Sequence, residues 1–228
     1  MNLGVQCYIF ATYSQRKIAV KFILNNINAI IFDLGGVILN LNPQNTFDYF
    51  AKISNFSDQK LQQISEYPFF KHYEMGEMTS DDFRTELRKI FGKEIGSNVI
   101  DAAWNAMLLD IPLKRLELII ALRPKFKTFV LSNTNDIHLI AFDEIVNKVT
   151  EGERIESYFD NVYYSCKVGM RKPDPKIFEL VLSENKLNRS TTLFIDDTLE
   201  HIESAQKLGL QTWHLTNQEE LFTVFGNE

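Results

Sequence analysis

Four short segments hold the residues whose chemistry stands out. Asp33 closes the apolar run Ala29 to Phe32 and is followed by Gly35 and Gly36. Ser132 and Asn133 end the run FVLSN, Asp196 and Asp197 end LFIDD, and Lys172 sits in the loop GMRKPDP. Each run reads as a buried strand. The strand ends then set Asp33, Ser132, Asp196 and Asp197 along one edge of a sheet, with Lys172 in reach of it. Three carboxylates that crowded repel one another unless a cation lies among them. Few hard oxygen donors suit Mg2+, which keeps positions for water and phosphate oxygens. The chemistry implied is phosphoryl transfer, eased by positioning and charge neutralisation, with a carboxylate able to act as nucleophile. Asp33 stands where that nucleophile is needed. The Ser132 hydroxyl and the Asn133 backbone N–H can donate to phosphoryl oxygens, and Lys172 offsets charge. Asp197 reads as the direct metal ligand, with Asp196 reaching the ion directly or through water.

The elements that must position these groups have visible punctuation. VYYSC (Val162 to Cys166) and TWHL (Thr212 to Leu215) are further short strand-like runs. Pro112 opens LKRLELIIAL, Pro175 precedes KIFELVL, and Gly209 closes the stretch from Leu199,. Strand and helix therefore alternate from Asp110 onward. That alternation, with strands apolar on both faces, predicts an α/β fold with a doubly wound, mainly parallel, Rossmann-like sheet. Residues 43–110 show helical periodicity and no strand grammar, which predicts an all-α cap inserted at the ligand-binding edge. Thr79, followed three residues later by Asp82, marks a helix start within it. The core is assigned to 28–42 and 111–228. Residues 1–27 read as an N-terminal extension without an interpretable motif.

IIFDLGGVI, VLSNT, GMRKPDPKIF and FIDDTLEHIESAQKLG, in this order and with about forty residues from Ser132 to Lys172, resemble the haloacid dehalogenase superfamily of hydrolases, in its helical-cap form. The resemblance covers about residues 28 to 220. It implies a Mg2+-dependent phosphatase acting through an aspartyl-phosphate, with Asp33, Ser132 and Lys172 catalytic. Asp33, Asp196, Asp197 and the backbone carbonyl of Gly35 would be the metal ligands. Gly35, Gly36 and Asn133 are candidate substrate-binding positions. The segment HYEMGEM resembles the substrate-facing loop of family caps, which adds His72 and Glu74. Gly35 departs from the family, which usually carries an aspartic general acid and base there. FDLG is nonetheless similar to the motif of sugar-phosphate phosphatases acting on glucose 1-phosphate, so a sugar 1-phosphate is the narrower expectation.

Composition excludes other classes. The net charge of −6, with no long basic run, argues against a nucleic-acid partner,. Cys7 and Cys166 are far apart and outside any C-x-x-C spacing, which fits a reducing compartment,. The apolar stretch Val5 to Tyr13 is too short to cross a bilayer, and no Lys or Arg precedes it,. The expectation is a cytoplasmic monomer or homodimer whose partner is a small phosphorylated metabolite, with no membrane.

Each residue also has a plainer reading. Asp33 alone is a turn-forming aspartate, Ser132 a helix cap, Lys172 a solvated charge, and Asp196 with Asp197 a helix-terminal pair. His72, His138, His201 and His214 share no metal-ligand spacing, and His138, His201 and His214 read as structural; Trp104 reads as cap interior. A module that kept the sheet and lost turnover is the rival from another class. A haloacid dehalogenase would use the same nucleophile without a metal, and the Asp196–Asp197 pair argues against it; a phosphomutase would need the acid missing at Gly35.

Overall fold

Ala29, Ile30, Ile31 and Phe32 offer no polar face, so the run is stable only where both sides are covered. It forms β1 (Ala29–Phe32), the central strand of the computed structural model, which describes residues 24–226. Around it lie β2 (Lys127–Ser132), β3 (Asn161–Tyr164), β4 (Thr192–Asp196) and β5 (Gln211–His214). All pairings are parallel, in the order β3-β2-β1-β4-β5. The strand order reverses beside β1, so the carboxyl ends of β1 and β4 flank the topological switch point, the place where open α/β sheets bind ligands.

Side chains along β1 alternate between two apolar layers, as the period of two requires. Ile30 and Phe32 pack with α6 (Leu113–Leu122), α7 (Asp136–Thr150) and α11 (Glu219–Phe225), through Leu116, Ile119, Phe142, Val146 and Leu221. Ala29 and Ile31 pack with α9 (Pro175–Glu184) and α10 (Leu199–Lys207), through Phe178, Val181, Ile202 and Ala205. Helices on both faces explain why the central strands β1 and β4 show no polar alternation. VYYSC stops being strand at Tyr164, because the four-residue α8 (Ser165–Val168) begins there. The Ser165 hydroxyl accepts from the Thr134 N–H (2.9 Å) and donates to the Thr134 carbonyl (3.1 Å), which ties that turn to the end of β2.

Between β1 and α6 run α1 (Pro43–Ser54), α2 (Asp58–Ser65), α3 (Pro68–Glu74), α4 (Ser80–Phe91) and α5 (Ser97–Asn105). They enclose a third apolar cluster that includes Phe50, Leu61, Tyr73, Phe83, Leu87 and Ile100, joined by Ile137 of α7. Thr79 caps α4 by accepting from the Asp82 N–H at 3.1 Å. The reading of HYEMGEM as a loop is corrected in part. Pro68, at the first helical position, starts α3, and the helix carries His72 and Glu74 before ending at Met75,. The two chain crossings pair with each other: Asn40 donates to the Asp110 carbonyl (2.9 Å), Leu109 to Asn40 (3.0 Å) and Asn42 to Met107 (2.9 Å).

Leu24 and Ile27 are buried in the layer beneath Ile30, and the Asn28 N–H bonds the Thr191 carbonyl (2.9 Å), so the described chain joins the core before residue 28. The other expectations for residues 1–27, Cys7 included, fall outside the described residues. Among those described, no helix is long and apolar enough to cross a membrane.

The Phe83 ring is fully buried and packs against Phe69, Phe70, Tyr73 and Trp104. Phe83→Ala is expected to cost about 3–5 kcal/mol in urea unfolding. A loss below about 1 kcal/mol would mean that these rings are not packed as a core.

Candidate active site

The sheet register sets the site. Phe32 is level with Ile195, so Asp33 and Asp196 leave neighbouring strands at the same height, and the Asp33 N–H bonds the Ile195 carbonyl at 2.8 Å. The Lys172 ammonium lies between them, 2.8 Å from Asp33 Oδ1 and 2.7 Å from Asp196 Oδ2. Lys172 and Asp196 are wholly buried and Asp33 is 7% exposed. Asn133 holds the lysine loop from the end of β2: its side chain accepts from the Lys172 N–H and donates to the Lys172 carbonyl, both at 2.9 Å. The sequence therefore places the ammonium through a backbone clamp 39 positions away, and not through the lysine's own flexible stem.

Burial penalises each of these charges, and the neighbours decide the outcome. For Asp33, burial raises the carboxyl, and the charges of Asp196 and Asp197 add to this against the opposing pull of Lys172. Asp196 is also penalised by burial, but Lys172 and His201 outweigh this and hold it at about 2. Burial works against the Lys172 ammonium too, yet Asp33 and Asp196 keep its pKa above the ordinary lysine value. Asp197 is raised, first by burial and then by Asp196. Three carboxylates face one ammonium, an excess of negative charge that a divalent cation would offset.

The donor set fits such a cation. Asp33 Oδ1 takes both the Leu34 N–H (2.7 Å) and Lys172, which leaves Oδ2 without a hydrogen bond among the described residues. Asp196 is saturated by Lys172, the Thr198 N–H (2.8 Å) and His201 Nδ1 (3.0 and 3.1 Å). It is therefore suited to an indirect role, through water. Asp33, Asp196 and His201 offer ligand atoms within 4.8 Å of one another. Because His201 Nδ1 and both Asp196 oxygens already face each other, Asp33 and Asp197 remain the carboxylates free to bind an ion. Gly36 has φ +73°, and a Cβ there would run into Asp197 Oδ2, so only glycine lets the loop approach this carboxylate,. The loop is pinned from behind by Arg115 Nη1 to the Ile38 carbonyl (3.0 Å) and Gln218 Nε2 to the Gly36 carbonyl (2.7 Å).

A pocket of about 470 Å³ opens over these groups, lined among others by Asp33, Gly35, Ser132, Asn133, Glu74 and Asp197. Lys172 and Asp196 lie beneath its floor, and Gly36 acts through its backbone behind Asp197. His72 is not brought to the pocket: α3 places its ring on Glu77, half exposed. Glu74, from the same helix, lines the pocket and pairs with Arg171 (2.8 Å). Trp104 both packs and lines: it stacks on His138 at 4.8 Å and donates to Asn135 (3.3 Å). Sequence reasoning passed over Arg171, which merely precedes the lysine, and read His201 and His138 as structural, although both line the pocket. For His201 a signal existed, since four residues after Asp197 is one turn into the helix that the aspartate precedes.

The description haloacid dehalogenase-like hydrolase matches residues 27–209. The chain is 29% identical over 192 residues to a D-ribitol-5-phosphate phosphatase of Bacteroides thetaiotaomicron, spanning 84% of this chain and 93% of that protein. It is similar in structure to a haloacid dehalogenase-family enzyme of Bacteroides thetaiotaomicron solved with magnesium and inorganic phosphate. There the TM-score is 0.72 at 36% identity, over 82% of this chain and 93% of the other. A haloacid dehalogenase-like hydrolase from Porphyromonas gingivalis superposes with a TM-score of 0.78 at 30% identity, over 89% and 99% of the two chains.

Gly36→Ala is expected to displace Asp197 and weaken Mg2+ binding by roughly 10–100-fold in a calorimetric titration. Unchanged Mg2+ affinity in a folded variant would remove Asp197 from the metal site.

Proposed function

The chain belongs to the haloacid dehalogenase-like hydrolases, and from that premise we propose that it is a Mg2+-dependent phosphatase that hydrolyses a small phosphorylated metabolite through an aspartyl-phosphate on Asp33. The observation that carries the reading is the Asp33 carboxylate, held by Leu34 and Lys172 at one oxygen and open at the other. A nucleophile needs that arrangement: fixed in direction, partly neutralised, and with one lone-pair face free.

Asp33 Oδ2 attacks phosphorus, the bond to the leaving oxygen breaks, and the alcohol departs after gaining a proton. Water then attacks the same phosphorus, which releases inorganic phosphate and restores the Asp33 carboxylate. Lys172 stays on Oδ1 throughout and keeps the carboxylate oriented. Ser132 and the Asn133 N–H receive the phosphoryl oxygens, where fixed donors stabilise growing charge without reorganising. Asp33, Asp197 and the Gly35 carbonyl, with Asp196 through water, would hold a divalent cation, which would supply charge neutralisation for the phosphoryl group. Because residue 35 has no side chain, proton transfer falls to pocket-lining groups, among which Glu74, Glu200 and His201 are candidates.

We assign residues 43–110 to a cap on the core of 28–42 and 111–228. The separate apolar cluster of the helices and the paired crossings support that division. The cap gives the pocket Glu74 and Trp104 and limits it to small molecules. D-ribitol 5-phosphate and a sugar 1-phosphate such as glucose 1-phosphate are the first substrates to try. The dehalogenase reading fares worse, because displacing halide from carbon needs no metal, and the negative charge of Asp196 and Asp197 beside Asp33 would then serve nothing.

Asp33→Asn keeps the shape and removes the nucleophile. Phosphate release from p-nitrophenyl phosphate is expected to fall roughly 10³-fold or more, while inorganic phosphate still binds. Turnover at the wild-type rate would sink the mechanism. Phosphate binding with no release by the wild-type protein would favour the inactive module.

A further inference from the structure

The pocket is chemically two-sided. The phosphoryl end is built of Asp33, Ser132, Asn133 and Asp197, whereas a continuous part of the remaining wall is hydrocarbon, bordered by polar groups such as Glu74, Arg171, Glu200 and His201. That wall comes from three places. Leu41 and Leu108 face each other across the paired crossings, Met107 precedes Leu108, and Leu139 and Phe142 lie on one face of α7 at i, i+3 spacing,. Leu41 comes closest to the chemistry. Its Cδ1 lies 2.6 Å from where a Cβ of residue 35 would stand, so a methyl group fills the side-chain space two residues after Asp33.

Several of the polar groups bordering this wall are already engaged. Glu74 is paired with Arg171 (2.8 Å), Trp104 Nε1 with Asn135 (3.3 Å), and His138 Nδ1 with Asn105 (2.9 Å). Burial also drives the His138 imidazole to about 3, so it offers no charge. A hydroxyl pressed against such a wall would lose water and find few free partners, whereas a hydrocarbon would gain by covering Leu41, Met107, Leu108 and Leu139, all only partly buried,.

We propose that this wall is a leaving-group subsite for hydrocarbon, and that the substrate class is the phosphate monoester of an apolar alcohol rather than of a polyol. The proposal rests on the phosphatase reading for turnover, but the subsite can be tested by binding alone.

The experiment has two arms, both with Mg2+. In the first, kcat/KM is measured for n-alkyl phosphates from ethyl to octyl, with D-ribitol 5-phosphate as the polyol. The expected result is a rise of roughly fourfold per methylene until the pocket is filled, with hexyl phosphate ahead of ribitol 5-phosphate. In the second, n-alkylphosphonates, which cannot be hydrolysed, are titrated calorimetrically, and affinity should climb with the same slope. Leu139→Asn and Met107→Asn should flatten both slopes to under about twofold per methylene. A flat alkyl series, or ribitol 5-phosphate outrunning hexyl phosphate, overturns the subsite and leaves the phosphatase standing. Length-dependent phosphonate binding with no ester turned over supports the subsite and overturns the phosphatase. Neither turnover nor length dependence overturns both.

Discussion

One ammonium wedged between two buried carboxylates organises this protein. Lys172 and Asp196 are both shut off from solvent, so the ammonium persists because Asp33 and Asp196 flank it, and the Asp196 carboxylate because Lys172 and His201 face it,. Removing Lys172 would leave two carboxylates uncompensated in the interior, which typically costs several times more than a surface ion pair contributes,. The same lysine orients Asp33, so the group that stabilises the buried pair also aims the candidate nucleophile. Two carboxylates against one ammonium already leave the balance negative, and Asp197, at the pocket's edge, adds a further negative charge. The site carries a standing deficit of positive charge that protein groups do not supply.

The rest of the architecture serves that arrangement. Parallel pairing of β1 with β4 brings Asp33 level with Asp196, and pairing with β2 places Asn133 where it can clamp the lysine loop. The loop after Asp33 is held from behind by Arg115 and Gln218, and glycine at 36 lets it close on Asp197. The helices between β1 and α6 keep an apolar cluster of their own. They meet the core at α7, where Tyr73 accepts from the Ile137 N–H (3.1 Å) and Trp104 stacks on His138. The pocket is thus bounded by groups already tied to one another, which pre-organises it for a ligand at little cost in ordering.

Much of this could be read from the chain because strand ends are loud in sequence. An apolar run that ends in Asp, or in Ser-Asn, announces both a buried strand and the residue at its edge, and Asp33, Ser132, Asn133, Asp196 and Asp197 all lie at such ends. Lys172 was legible only through its neighbours, since a lone lysine says nothing. What stayed hidden depends on approach in space. His72 looked as eligible as Glu74, but the helix starting at Pro68 turns one to Glu77 and the other to the pocket. Leu41 is an ordinary leucine until the two crossings pair and carry its methyl group to Gly35. Arg171 gains its role only because α3 brings Glu74 to it.

The central claim is that the buried carboxylates outnumber the positive charge the protein gives them, so that a phosphate can enter only together with a divalent cation. Calorimetric titration of inorganic phosphate into the full chain, with and without Mg2+ at fixed ionic strength, tests this most directly. The account predicts saturable phosphate binding with Mg2+ and a loss of at least about tenfold in affinity without it. Equal affinity in the two titrations would show that Lys172 and the backbone donors alone balance the phosphate, and the account would fall.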